Sequence, residues 1–238
     1  MDVAILYSGG KDSTFAIQHA VQKGWNIRYL ISVKPTRKDC YLFHYATVEH
    51  TKELSKQLGI KHIYVGCSVA DPVLEADIVK NVVEEQQKIA PVNAVVLGGT
   101  GLQETQLKSI QKALLPLRID VFAAHAGEEH DLVMEQMLNN GYEIIITQVA
   151  SDGLGKWLGK KLSKEIFEEF KKDSSKYGFH VGGEGGYYDT LVVNTPFFSE
   201  RLVAENCRIT MEDEFCGHVD ITQYKMEKNQ NPEIKEVF

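Results

Sequence analysis

Cysteine is scarce in this chain. The four present, Cys40, Cys67, Cys207 and Cys216, form no C-x-x-C pair, which removes the usual zinc-ribbon and dithiol-redox readings and predicts reduced thiols in a cytoplasmic protein. Long apolar runs are missing too: none reaches the ~18 residues that a membrane helix needs, so no membrane partner is expected. The start, Met1-Asp2-Val3-Ala4-Ile5-Leu6-Tyr7, has no basic segment, and its apolar stretch breaks at Ser8-Gly9-Gly10-Lys11, so it does not read as a signal peptide. Positive charge falls short as well. The 26 Lys plus Arg face 33 Asp plus Glu, a net charge of −7 with a sequence pI of 5.6. Such a chain lacks the broad cationic field that collects phosphate backbones, which argues against general nucleic-acid binding. No internal repeat or low-complexity tract is visible. What remains, 43% hydrophobic and 25% charged residues over 238 positions, is an ordinary globular composition that excludes collagen, coiled coil and bulk disorder. It suffices for one large domain or two smaller ones.

The first two-thirds alternates short β-branched runs with helical stretches. Strands are expected at residues 3–7, 27–33, 62–67, 92–97, 119–124 and 142–149, and helices at residues 13–23, 45–58, 72–89, 103–115 and 129–139, with Gly24, Gly59 and Gly141 as stops. Strands separated by helices of this length call for right-handed crossovers and an α/β, doubly wound, mostly parallel sheet. Beyond Ser151 the rhythm changes. A glycine-dotted stretch leads to an amphipathic helix at residues 164–177 with Ile166, Phe167 and Phe170 inward, then to short β segments at 190–194, 201–209 and 218–224. A smaller C-terminal α+β domain is expected, ending in a polar, frayed tail from residue 227.

Tyr7-Ser8-Gly9-Gly10-Lys11-Asp12-Ser13 lies between the first strand and the first helix. Two glycines let the backbone turn tightly and present N–H groups to an anion, the helix start adds its positive dipole end, and Lys11 adds a full charge. These residues make a polyphosphate cradle. Lys11 is followed by Asp12, and the Walker A pattern is absent, which disfavours a γ-phosphate NTPase.

Ser-Gly-Gly-Lys-Asp-Ser in this position resembles the PP-loop of the N-type ATP pyrophosphatases. The resemblance implies an adenine-nucleotide alpha hydrolase (HUP-like) fold in which Ser8, Gly9, Gly10, Lys11, Asp12 and Ser13 bind ATP phosphates and Asp12 places Mg²⁺. It also implies backbone contacts to the nucleotide around Val33, together with Gly98. A second cluster, Gly178-Phe179-His180-Val181-Gly182-Gly183-Glu184-Gly185-Gly186-Tyr187-Tyr188-Asp189-Thr190, is too rich in glycine for a helix or strand interior. Together the two clusters are similar to the diphthine–ammonia ligase family, whose members carry G-E-G-G-E-[FY]-E-T in a C-terminal domain. The likeness includes Tyr41-Leu42-Phe43-His44, Trp157-Leu158-Gly159 and Pro196-Phe197-Phe198.

The family implies an ATP-binding domain over residues 1–125 and a substrate-binding domain over 126–238. The reaction it implies is adenylation of a carboxylate followed by amide formation with ammonia, on diphthine of elongation factor 2 or, in a paralogue, on a small carboxylate metabolite. Lys11, Asp12, Glu184 and Asp189 are the implied catalytic set, and His44, Gly183, Glu184, Gly185, Gly186, Tyr187 and Thr190 the implied acceptor set. Tyr187 and Asp189 stand where the family has Glu, Thr47 where an Asn follows the His44 motif, and the run through Glu104 replaces a Tyr-Gln. The ATP half is thus intact and the acceptor half altered, and a charged-to-aromatic change at Tyr187 exchanges hydrogen bonding for stacking. Oligomeric state is open, a homodimer included.

Three other readings fit the residues less well. His125 and His130 are five apart and share no helix face as zinc ligands would; a strand-end and a helix-start histidine fit better. A tRNA-thiolating PP-loop enzyme uses the same adenylation, but calls for sulfur-handling cysteines and a basic surface. Cys40 and Cys67 read instead as small buried apolar residues. A nucleotide sensor explains the fold but leaves Lys11-Asp12-Ser13 and the Glu184 cluster without a task.

Overall fold

The structure is a computed structural model that describes residues 1–43, 47–100 and 103–229. The chain divides into two units, residues 1–127 and 128–238. In the first, strand β1 (Asp2–Leu6) is buried from its second residue onward. It pairs in parallel with β2 (Asn26–Pro35) on one side and β4 (Ala94–Leu97) on the other. Strands β3 (His62–Cys67) and β5 (Asp120–Ala123) complete a five-stranded sheet of order β3-β2-β1-β4-β5. All four pairings are parallel, and the near-continuous burial of β1 and β4 belongs to a sheet covered on both faces. The expected α/β class is what forms. The chain leaves β1 toward β2 and returns across it to β4, so the topological switch point lies between β1 and β4, at whose carboxyl ends such sheets bind ligands.

Helix α1 (Lys11–Gln22) follows β1 and buries Phe15, Ala16, Ile17 and Ala20. Helix α3 (Pro72–Gln86) starts at Pro72 and is capped by Asp71, whose Oδ1 accepts from the amides of Val73 and Leu74 at 2.9 Å each. Helix α2 (Thr51–Leu58) and helix α4 (Glu104–Leu114) occupy the other crossovers. Helix α2 is shorter than the expected 45–58. Its first part is a 3₁₀ turn over Val48–His50, entered through Thr47 in the left-handed region (φ 64°), and residues 45 and 46 lie outside the described residues. Helix α1 also begins two residues before the expected position, at Lys11 with Gly10 as its N-cap.

The second unit corrects the reading of residues 142–149. Strand β6 (Glu143–Ala150) does not extend the parallel sheet; it pairs antiparallel with β7 (Lys161–Leu162), β8 (Tyr188–Asn194) and β10 (Cys216–Lys228). The apolar run Ile144-Ile145-Ile146 masks its alternation in the sequence, yet Ile144 and Ile146 are buried while Ile145 is half-buried. That one-sided pattern belongs to an antiparallel strand. A long hairpin of β9 (Glu200–Met211) with β10 continues the sheet. The tail is also shorter than expected: Glu227 and Lys228 pair with Arg201 and Glu200 in the hairpin, and residues 230–238 lie outside the described residues. Helices α5 (His130–Asn139) and α6 (Lys164–Tyr177) complete the unit. Its core gathers Trp157, Phe167, Phe179 and Tyr188 around Phe170 at ring distances of 5.1 to 6.2 Å. Trp157 Nε1 donates to Asp173 Oδ2 at 2.8 Å, so the buried indole is satisfied.

Candidate active site

At the end of β1 the chain turns on Gly9 at φ 80° and enters α1 through Gly10, which offers the helix no side-chain cap. Gly9 is the position where a side chain would strain the backbone. The uncapped N-terminus leaves the helix dipole to act on whatever anion approaches. Hydroxyls brace the loop: Ser13 Oγ donates to the Gly10 carbonyl at 3.1 Å and accepts from the Ser8 amide at 3.2 Å, and Thr14 Oγ1 donates to the same carbonyl at 2.9 Å. Lys11 is only 4% exposed, and its Nζ lies 2.6 Å from Asp12 Oδ2. The loop thus carries its cation and its carboxylate as an adjacent pair.

Two neighbouring strands hold this loop. Ser32 Oγ of β2 donates to the Tyr7 carbonyl at 2.5 Å and receives a 2.8 Å bond from His62 Nε2 of β3. Since the serine proton goes to Tyr7, His62 carries its own proton on Nε2. Burial, with the nearby positive charge of Lys52 adding to it, pulls the His62 pKa down to about 4, so the ring is neutral at neutral pH. Burial likewise lifts the Tyr7 phenol well above its ordinary range. From the other side comes Gly98, directly after β4. A Cβ there would lie 2.5 Å from the Asp12 carbonyl carbon and 2.5 Å from the Ser13 nitrogen, so the backbones of β4's end and α1's first turn touch. Val33 sits at the buried end of β2, and Lys34 pairs with Glu49 at 2.7 Å.

The segment after β2 is fixed by Glu75 of α3. Fully buried, its carboxylate accepts from the amides of Tyr41 and Leu42 at 2.9 and 2.7 Å, while Gln106 Nε2 donates to the Leu42 carbonyl at 2.5 Å. His44, of the implied acceptor set, and Leu102, at the head of the run through Glu104, lie outside the described residues. Cys40 and Cys67 do converge, both thiols pointing at the Val69 carbonyl at 3.2 and 3.4 Å. Burial and then the neighbouring Cys67 push the Cys40 thiol up to about 12, the opposite of a reactive sulfur. Glu104 opens α4 and is paired with Lys108 on the surface.

In the second unit the glycine cluster folds around His180. Its Nδ1 accepts from the Gly182 and Glu184 amides at 3.1 and 3.4 Å, and its carbonyl accepts from the Gly183 amide at 2.9 Å. Tyr188 Oη donates to the Val181 carbonyl at 2.6 Å. Gly183, Gly185 and Gly186 all have φ between 75° and 89°, a succession that side-chain-bearing residues rarely adopt. Glu184 is buried at 6% exposure, whereas Tyr187 is half-exposed. Asp189 and Thr190 already belong to β8, opposite Gln148 and Ile146 of β6. His125 follows β5 and His130 opens α5, a strand-end and a helix-start histidine.

Sequence reasoning did not single out His62 or Glu75, and it gave His180 no role. For His180 a local signal exists, a histidine two and four residues before the amides it accepts from. His62 and Glu75 act 30 and 33 or 34 residues away in the chain, where no local pattern marks them.

The N-terminal domain model of diphthamide synthase matches residues 1–115 and the C-terminal domain model residues 129–226. Among curated proteins, the chain is 25% identical over 233 residues to the diphthine–ammonia ligase of Bos taurus, covering 88% of this chain and 85% of that one. It is 26% identical over 260 residues to that of Danio rerio, covering 99% of both. To that of Schizosaccharomyces pombe it is 27% identical over 85% of this chain and 36% of the longer relative. With both domain models matched in order, an α/β sheet ending in a Ser-Gly-Gly-Lys-Asp-Ser loop and an antiparallel unit carrying the Glu184 cluster, the chain belongs to the diphthamide synthase family.

Proposed function

We propose that this protein is an ATP-dependent, AMP- and pyrophosphate-forming amide ligase of the cytoplasm, with diphthine of elongation factor 2 as acceptor and ammonia as nitrogen donor. The observation that carries the reading is the loop after β1, with buried Lys11 and an uncapped helix N-terminus at the switch point of a parallel sheet. No helix among the described residues is long and apolar enough to cross a membrane.

In this reading an acceptor carboxylate oxygen attacks the α-phosphorus of ATP, and the bond from that phosphorus to the bridging oxygen breaks. The charge that develops on departing pyrophosphate is met by Lys11, the loop amides and the Ser8 hydroxyl, with Ser13 bracing the loop through the Gly10 carbonyl. Ammonia then attacks the acyl carbon, the bond to AMP breaks, and the nitrogen gives up a proton, for which Glu184 and Asp189 are the assigned carboxylates. The Asp12 carboxylate, 27% exposed at the mouth of the loop, fits a hard cation. A bound Mg²⁺ would supply charge neutralisation on the phosphates.

The test offers the protein ATP, Mg²⁺ and isotope-labelled ammonium with diphthine-bearing elongation factor 2 or with a panel of small carboxylates. Label appearing as carboxamide in the factor is the expected result. Label in a small acceptor only would move the assignment to the paralogous reading that the Tyr187 and Asp189 departures allow. Absence of label in every acceptor would overturn it.

A further inference from the structure

We infer that His180 is the positioning residue of the acceptor loop, its Nδ1 lone pair setting the place of Glu184 by gathering the Gly182 and Glu184 amides. The inference rests on the proposed role of the Glu184 loop in acceptor recognition.

A loop with three of four residues, Gly183, Gly185 and Gly186, in the left-handed region has little local preference for one shape. Something must hold it if a buried carboxylate within it is to have a defined place. The His180 ring does so from inside the turn. One ring nitrogen accepts from two backbone N–H groups, at 3.1 Å from Gly182 and 3.4 Å from Glu184, while the carbonyl of the same residue receives the Gly183 amide at 2.9 Å. Three consecutive amides are thereby directed at one residue. An acceptor at Nδ1 puts any ring proton of the neutral form on Nε2.

The ring itself is held in turn. His130 stands edge-on to it at 4.4 Å with an interplanar angle of 90°. The His130 ring occupies the space beside Gly182, where a Cβ would come within 2.6 Å of its Nδ1. Gly182 therefore admits the ring that steadies His180. The far end of the loop is tied by Tyr188 Oη to the Val181 carbonyl and by the Ala150 amide to the Tyr187 carbonyl at 2.8 Å. With both ends tied, the His180 bonds decide the position of the stretch between them.

Asparagine carries a side-chain oxygen the same number of bonds from Cα as the histidine Nδ1, and glutamine carries it one bond further. His180→Asn therefore keeps the acceptor where the two amides need it, and His180→Gln does not. The expected result is that His180→Gln loses at least about tenfold in kcat/KM for the acceptor, that His180→Asn recovers most of it, and that the KM for ATP stays at the wild-type value in both. Amide hydrogen exchange at Gly182 and Glu184, slow in the wild type and in His180→Asn and fast in His180→Gln, reads the same bonds without turnover. Equal activity and equal exchange in the two variants, or a parallel loss of ATP affinity, would overturn the inference. Glu184→Gln, measured alongside, separates this from the parent reading. If Glu184→Gln is fully active, the acceptor role of the loop fails while the exchange data still judge His180. If Glu184→Gln is impaired and the two His180 variants behave alike, His180 is not the positioning residue.

Discussion

Lys11 illustrates how much one side chain can be asked to do. Nearly buried and 2.6 Å from Asp12 Oδ2, it is positioned by the helix start rather than by a flexible surface stem. Replacing it with alanine removes the cation that meets the charge developing on pyrophosphate. Lys11→Ala is expected to lower AMP formation by about 10²–10³-fold, with the circular dichroism spectrum and ATP-independent folding retained. Turnover at the wild-type rate would contradict the assignment. His62 makes a second prediction at this scale. Its folded-state pKa, about 4, lies below the ordinary imidazole value of 6.5, so the fold prefers the neutral ring. The unfolded chain takes up the proton first as pH falls. The stability that His62 contributes is therefore complete above pH 6.5 and is lost as pH drops toward 4, by about 1–2 kcal/mol once partial exposure is allowed for. Urea midpoints between pH 7 and pH 4 should fall less steeply in His62→Gln than in the wild type. Parallel slopes would mean that the ring is not held neutral.

Among the elements, the approach of β4 to α1 is the contact on which the loop's shape depends. Gly98 touches backbone rather than a flexible side-chain end, at 2.5 Å for a would-be Cβ, so Gly98→Ala can be relieved only by moving the strand end or the helix turn. Such overpacking costs about 1–3 kcal/mol, and the displaced turn is the one that carries Asp12 and Ser13. ATP affinity measured by calorimetry should fall with the thermal midpoint; an unchanged dissociation constant would contradict the account. Much at this scale is legible in the sequence. The span of α6 matches its expected boundaries, because a glycine stop and a 3.6-residue apolar stripe are local signals. What escapes is decided at a distance. The partner of β6 is chosen by which face is buried, and three successive isoleucines conceal that face. The start of α1 depends on a backbone turn at Gly9 and Gly10. At the site, Ser8 through Ser13 were readable because they are contiguous, and Gly98 through the family resemblance, whereas His62 acts on Ser32 from β3 and Glu75 holds the segment after β2 from α3, partners fixed only by the fold.

For the whole molecule, the division at residue 127 separates two sheets with separate cores. The first unit contains the entire phosphate loop, the switch point and its own hydrophobic cluster. Residues 1–127 produced alone are expected to unfold cooperatively and to bind ATP while forming no AMP. A folded fragment without ATP affinity would show that the first unit is not the nucleotide-binding part. The negative charge of the chain, −7, fits a protein or small-molecule acceptor better than a nucleic acid. The most direct test of the central claim follows the labelled α-phosphate of ATP in the presence of Mg²⁺, ammonium and acceptor. Acceptor-dependent release of labelled AMP is the predicted result. Labelled ADP, or nucleotide that binds and is never split, would contradict α-phosphate chemistry and with it the ligase reading.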